Sequence, residues 1–189
     1  MFPRGAGKRN VEFMTSAAVP RLRLFLGLFP DPAVQSAIDD YRKNWCWPRG
    51  ARPAALVRIH MTLHFLGEVE AAQRIVLQEG LAEVPMHPLT LALRTSEVWR
   101  NPVAVLRPDE NEVLRELHER LKRPIVRAGL APERGRWIPH LTLARRCRGA
   151  IPPPEPPAIP WPVNEFLLVC SHRSNPVRYE ILARHCSRG

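Results

Sequence analysis

Lysine is scarce in this chain. Lys8, Lys43 and Lys122 are the only three, and the other 25 of its 28 basic residues are arginines. Planar guanidinium forks grip phosphate oxygens in pairs, so the bias suits a nucleic-acid substrate, although a skewed source genome gives the same excess. Carboxylates are also in deficit, 18 against 28 cations, leaving a net charge of +10 and pointing to a polyanionic partner. Cysteine pairing is missing: Cys46, Cys147, Cys170 and Cys186 form no CxxC and no regular spacing. That argues against a zinc ribbon or disulfide scaffold and fits free thiols in a reducing cytoplasm. No apolar run is long enough to span a bilayer, since Leu22–Phe29 is short and contains Arg23. No small-residue cleavage site follows it, so it does not read as a signal peptide. The expectation is a soluble, cytoplasmic, monomeric protein.

What is present is an ordinary globular composition, 45% hydrophobic over 189 residues, enough for one compact domain or two lobes sharing an interface. Residues 1–20 are small, polar and basic without periodicity. They read as a disordered tail, or as an extension of a chain that could begin at Met14. Residues 21–189 are expected to form a single domain. Leu22–Phe29 alternates as a strand, and Asp31-Pro32 caps a helix whose Val34, Ile38, Tyr41 and Trp45 share a face. Leu56–Leu66 is expected as a strand ended by Gly67, and Glu70–Val84 as a helix that Gly80 weakens. Pro88–Arg94 and Val103–Leu106 read as strands. Asp109 with Glu112 resembles a capping box for a helix through Leu121, which Pro124 kinks or ends and Gly129 closes. Trp137–Arg145 is expected as a strand and Ile151–Pro162 as an extended loop, its prolines too many for helix or sheet. Strands Val163–Cys170 and Arg178–Ala183 follow. The two halves run parallel in layout, giving an α+β protein of two mostly antiparallel sheets, helices outside, with a cleft between.

One four-residue pattern occurs twice: His60-Met61-Thr62-Leu63 and His140-Leu141-Thr142-Leu143, 80 positions apart. With seven histidines in the chain, chance supplies roughly 0.02 copies. Alternation along a strand puts His60, Thr62 and His64 on one face and Met61, Leu63 and Phe65 on the other. The second copy likewise separates His140 and Thr142 from Leu141 and Leu143. Each copy anchors itself with apolar residues and presents a His–Thr pair to the cleft. In-line displacement at phosphorus needs one group to deprotonate the nucleophile and another to protonate the leaving oxygen, and two imidazoles can do both near neutrality. The hydroxyls of Thr62 and Thr142 can hold non-bridging oxygens. Arg145 or Arg146 can supply a cation, but strict alternation turns Arg145 toward the core, so it needs a bulge to reach phosphate. A zinc reading of His60 and His64 fails, because four residues of strand span about 13 Å, and no Glu follows His60 as a helical zinc-protease motif requires. No metal or other cofactor is expected. His118 reads as a solvated helix residue, and His87, His172 and His185 as surface residues.

The segments His60-Met61-Thr62-Leu63-His64-Phe65-Leu66-Gly67 and Pro139-His140-Leu141-Thr142-Leu143-Ala144-Arg145 resemble the two signature strands of the 2H phosphoesterases, and within them the LigT-like RNA 2′,3′-cyclic phosphodiesterases. Arg23-Leu24-Phe25 and the Phe29-Pro30 turn are similar as well, so the resemblance spans about residues 21–185. It implies a bilobal, pseudo-symmetric fold without metal. The implied activity is hydrolysis of RNA terminal 2′,3′-cyclic phosphate to a 2′-phosphate, with 2′–5′ RNA joining also associated with the family. It carries His60 and His140 over as catalytic, Thr62 and Thr142 alongside them, and Arg145 as a phosphate contact. It suggests His60 as acid and His140 as base, an order the residues themselves leave open. His64 and Trp137 depart from the usual pattern. RNA 3′ ends or small cyclic nucleotides are the implied partners. The alternatives are a 2′–5′ oligonucleotide phosphodiesterase or ligase of the same superfamily, and an RNA-binding module without turnover.

Overall fold

The strands that carry the two motifs touch through a single residue pair, and the rest of the architecture is arranged around that junction. The computed structural model describes residues 21–174 and 176–187, so the expectation for residues 1–20 lies outside the described residues. The strands are β1 (Arg21–Leu28), β2 (Arg52–Pro53), β3 (Met61–Glu70), β4 (Leu89–Val98), β5 (Val103–Pro108), β6 (Leu141–Arg145), β7 (Ile159–Val163), β8 (Glu165–His172) and β9 (Arg178–Cys186). The helices are α1 (Pro32–Lys43), α2 (Ala71–Ala82) and α3 (Glu112–Arg127). The sheet runs β7-β4-β5-β6-β3-β1-β8-β9, with every pairing antiparallel. The expected two sheets are its two four-stranded halves, fused where Met61 of β3 faces Leu141 of β6. Beyond that pair the strands diverge, and β2 takes the vacated edge of β6, Arg52 opposite Arg145.

All three helices contribute to one core with one face of the sheet. Val34 and Ile38 of α1, Leu77 and Leu81 of α2, and Leu114, Leu117 and Leu121 of α3 are buried together with Leu24, Leu26, Leu28, Met61, Leu63, Leu141 and Leu143. Each fully buried leucine contributes about 1.5–3 kcal/mol. That leaves the opposite face of the sheet open as a cleft.

Several expected boundaries move, each for a local reason. Leu56–Arg58 is a 3₁₀ turn, so β3 starts at Met61, and β6 starts at Leu141. Gly67 does not end β3. It takes a positive φ of 71° beside a register shift, and the strand continues to Glu70. Glu70 then caps α2 through a reciprocal capping box with Gln73. The cap of α3 is Asn111, which accepts from Leu114 N–H at 2.9 Å, whereas Asp109 pairs with Arg94 at 3.2 Å. Pro124 lies inside α3, packed on Gly80 of α2, and the helix closes one residue past Ala128, where Gly129 has φ 71° and Leu130 N–H reaches Ile125 O at 3.1 Å.

The proline-rich stretch is not all loop. Ile159–Val163 forms edge strand β7 on β4, with Ile159, Trp161 and Val163 inward and Pro160 and Pro162 outward. Prolines on alternate positions of an edge strand need no ladder partner for their missing N–H.

Candidate active site

Both motif strands carry a β-bulge at the same place. On β3, Leu26 faces His64 while Gly27 faces Thr62, so Leu63 is the extra residue. On β6, Ala104 faces Ala144 while Val105 faces Thr142, so Leu143 is the extra residue. A bulge resets the alternation beyond it. Arg145 therefore shares the cleft face with Thr142, and Phe65 shares it with Thr62. His64 rotates away from the cleft into the core, where it is 1% exposed. The expected positions of His64 and Phe65 are thus exchanged. The carbonyl of each bulged leucine is bound from outside the ladder: Leu63 O accepts from His118 Nδ1 at 3.0 Å, and Leu143 O from Ala54 N–H at 2.8 Å.

His118 is accordingly no solvated helix residue. Its ring is sandwiched between His64 and Trp137, with both centroid distances 4.1 Å. His64 Nε2 donates to His118 O at 2.8 Å, and Trp137 Nε1 donates to Thr62 O at 3.0 Å. Side chains from α3 and the approach to β6 thereby hold the motif segment of β3 along the edge opposite β1, where β6 has diverged. Burial, the adjacent His64 and Lys122 push the His118 imidazole down to about 4. Of the remaining histidines, His87 is exposed, His185 stacks on Phe166, and His172 bonds Glu180 at 2.8 Å.

His60 and His140 line the same cleft, both half-buried. His60 Nδ1 meets Arg58 O at 2.7 Å and His140 Nδ1 meets Ile138 O at 2.8 Å. A carbonyl only accepts, so each Nδ1 carries a proton and each Nε2 is left to take or give one. The same contact, two residues upstream in each half, sets the tautomer twice. Burial pushes both imidazoles below the usual histidine range, against the pull of those carbonyls, and Arg145 pushes both further down. Phe25, Phe29 and Tyr179 surround His60 with ring centroids at 4.8, 5.2 and 5.3 Å. Trp99 flanks His140 at 4.4 Å and is held by Glu97, which also bonds Arg107.

The cleft has two arms meeting at the histidines. One, about 520 Å³, is lined by Phe25, Phe65, Trp99, Trp137 and Tyr179. The other, about 710 Å³, holds Thr62 and Thr142 together with five arginines. Thr62, Tyr179, Arg145, Arg23 and Ser171 reach both. Ser171, Tyr179, Trp99 and Arg23 were not anticipated as cleft residues, nor Phe29 as a ring stacked on His60. The one available signal was a polar Ser171 ending the apolar run Phe166–Cys170. A further cavity of about 360 Å³ includes Trp137 but neither motif histidine, and its Arg115, Lys122, Glu110 and Glu119 are engaged with one another or with Glu112. Among the described residues, one group could hold a metal: Cys170, His172 and Glu180. It lies on the opposite sheet face from Ser171 and Tyr179, and Arg74 stands near its thiol.

Comparison with known proteins is consistent with this arrangement. Residues 29–172 match the model of the 2′-5′ RNA ligase superfamily. The chain belongs to this superfamily. The 2H phosphoesterase resemblance of the two motifs is therefore borne out. Among superfamily relatives, the Escherichia coli RNA 2′,3′-cyclic phosphodiesterase is 31% identical over 158 residues, covering 79% of this chain and 86% of that protein. The Bacillus subtilis protein of the same name is 31% identical over 132 residues, covering 64% and 72%. The crystal structure of E. coli LigT in apo form superposes with a TM-score of 0.81 at 28% identity, covering 90% of this chain and 99% of that one. LigT has also been crystallised with 3′-AMP, with comparable similarity. The 2H architecture, an antiparallel sheet in two halves with helices outside, is thus shared along nearly the whole described chain.

Proposed function

We propose that the protein hydrolyses RNA terminal 2′,3′-cyclic phosphate to a 2′-phosphate. The observation that carries this reading is the duplicated tautomer lock, which presents two Nε2 atoms from opposite halves to one cleft. In-line attack needs a base and an acid on opposite sides of phosphorus. His140 Nε2 takes a proton from water as its oxygen bonds to phosphorus. The P–O3′ bond breaks, and His60 Nε2 delivers its proton to O3′. The ester to O2′ remains, leaving a 2′-phosphate and the two histidines with exchanged protonation. Thr62 and Thr142 hold the non-bridging oxygens, and Arg145 offsets the charge that builds on them. The names of the E. coli and B. subtilis relatives support the substrate class. RNA 3′ ends are the proposed partner, and the 3′-AMP complex of LigT accords with a nucleotide in the cleft. No described helix is long and apolar enough to cross a membrane, and we place the protein in the cytoplasm as a monomer with free cysteines.

The test is a short RNA ending in 2′,3′-cyclic phosphate, with the product identified by phosphorus NMR. A terminal 2′-phosphate is expected, formed undiminished in the presence of a chelator. His60→Ala and His140→Ala are each expected to lower turnover at least 10³-fold, about 4 kcal/mol of transition-state stabilisation, with an unchanged circular dichroism spectrum. A 3′-phosphate product refutes the proposed departure of O3′, and near-full activity in either variant refutes the two-histidine mechanism.

A further inference from the structure

The arginine-lined arm holds more positive charge than the reaction itself uses. A cyclic phosphate brings one negative charge to the histidines, and Arg145 is placed to meet it. Yet Arg23, Arg52, Arg58 and Arg146 line the same 710 Å³ cavity, and no acidic residue does. Among the described residues none of these five guanidiniums has a carboxylate partner. Arg23 lies over the Phe65 ring at 4.7 Å, and Arg58 makes a 3.4 Å contact to Val177 O.

Two features of this arm are locally unfavourable. Arg52 stands directly across the β2–β6 pairing from Arg145, and like charges facing each other across strands destabilise a sheet. Arg146 adopts φ 57°, the only positive φ among the described non-glycine residues. A left-handed residue breaks the alternation, so Arg145 and Arg146 can line one cavity although they are consecutive. Such local costs concentrate where a ligand offsets them.

We propose that Arg52, Arg58 and Arg146 form a track for the phosphodiesters upstream of the reacting end, so that the protein prefers oligoribonucleotide 3′ ends to cyclic mononucleotides. This rests on the reading of the cleft as a cyclic phosphodiesterase site. The shape of the substrate fits the two arms. A ribose presenting its 2′,3′ edge to the histidines carries its base on C1′ to one side and its 5′ phosphate, through C4′, to the other. The aromatic arm receives the base, and the arginine arm receives the chain that leads away from the 5′ oxygen.

Binding and turnover test the proposal separately. Arg146→Gly suits the positive φ, and Arg52 is exposed on a two-residue edge strand, so the double variant Arg52→Ala/Arg146→Gly is expected to fold. The probes for binding are a tetraribonucleotide ending in 2′-phosphate and a nucleoside 2′-monophosphate, titrated across a range of KCl. The wild type is expected to bind the tetranucleotide at least tenfold more tightly, and the double variant to lose most of that margin. The log–log salt slope for the tetranucleotide is expected to fall by about 1.4 for two phosphates released. For turnover, kcat/KM on the tetranucleotide cyclic phosphate is expected to drop at least tenfold more than on the cyclic mononucleotide.

Equal losses on both substrates, an unchanged salt slope, or a nucleoside triphosphate that displaces the tetranucleotide at equal affinity would each overturn the track. Absence of hydrolysis of any cyclic phosphate by the wild type sinks the catalytic reading instead. The binding margin and its dependence on Arg52 and Arg146 then still decide whether the track exists.

Discussion

Acid should destabilise this protein through His118, a residue that touches no substrate. Its imidazole sits between His64 and Trp137, 6% exposed, with Nδ1 donating to Leu63 O. His64 and Lys122 face it as cations or potential cations, while Glu119 pulls weakly the other way. The result is a pKa lowered from 6.5 to about 4. The unfolded chain takes up the proton first, so stability is whole above pH 6.5 and is lost as pH falls toward 4. At 1.36 kcal/mol per pH unit the full loss is about 3 kcal/mol, most of it reached by pH 4.5. His118→Gln keeps an amide donor for Leu63 O and removes the titration. Urea denaturation at pH 7.5 and pH 4.5, followed by circular dichroism, gives the acid-induced loss for each protein. The wild type should lose roughly 2–3 kcal/mol more than the variant. Equal losses would refute the buried, neutral His118.

Three other outcomes follow from the geometry. Because burial lowers both His60 and His140, the free enzyme keeps one imidazolium and one imidazole only on the acidic side of 6.5. The kcat/KM profile should therefore peak below pH 6.5 and fall above it, and a maximum above pH 8 contradicts this. Gly80→Ala places a methyl 2.8 Å from Pro124 Cβ. The overpacking cost of about 1–3 kcal/mol exceeds the roughly 1 kcal/mol gained in helix propensity, so a calorimetric Tm should fall, and a rise argues against tight α2–α3 packing. The bulge at Leu63 makes His64→Ala a stability lesion of about 1–3 kcal/mol with little change in KM, whereas Phe65→Ala should raise KM several-fold and leave Tm nearly unchanged. The reverse pattern would restore simple alternation.

The duplicated His-x-Thr-Leu strands, their apolar backs and the alternation of β1 were legible because each depends on residues adjacent in sequence. The two bulges were not. Period-2 reasoning assumes one residue per rung, and whether Leu63 or Leu143 is skipped is decided by the partner strand. That assumption sent His64 to the cleft and Phe65 to the core, although the need for a bulge to bring Arg145 to the cleft face was foreseeable. Pro160 and Pro162 likewise become strand residues only because β7 lies at an edge, a fact of sheet order. His118 is buried by Trp137 and His64 from other elements, which its own charged helix conceals. Ser171, Trp99 and Tyr179 join the cleft through tertiary folding, with no motif to mark them.

Along the sheet the two halves join through the Met61–Leu141 pair, and behind it α2 packs on α3 through Gly80 and Pro124. On the proposed mechanism, one proton-transfer group sits in each half, its ring oriented by a backbone carbonyl two residues upstream. The spacing between acid and base is therefore not a property of either half. It is a property of the angle at which they meet, and His118 and Trp137, reaching across to Leu63 and Thr62, act as struts on that angle. A lesion in those struts should loosen the alignment of two intact histidines, so the reaction can be slowed without altering any group that performs it.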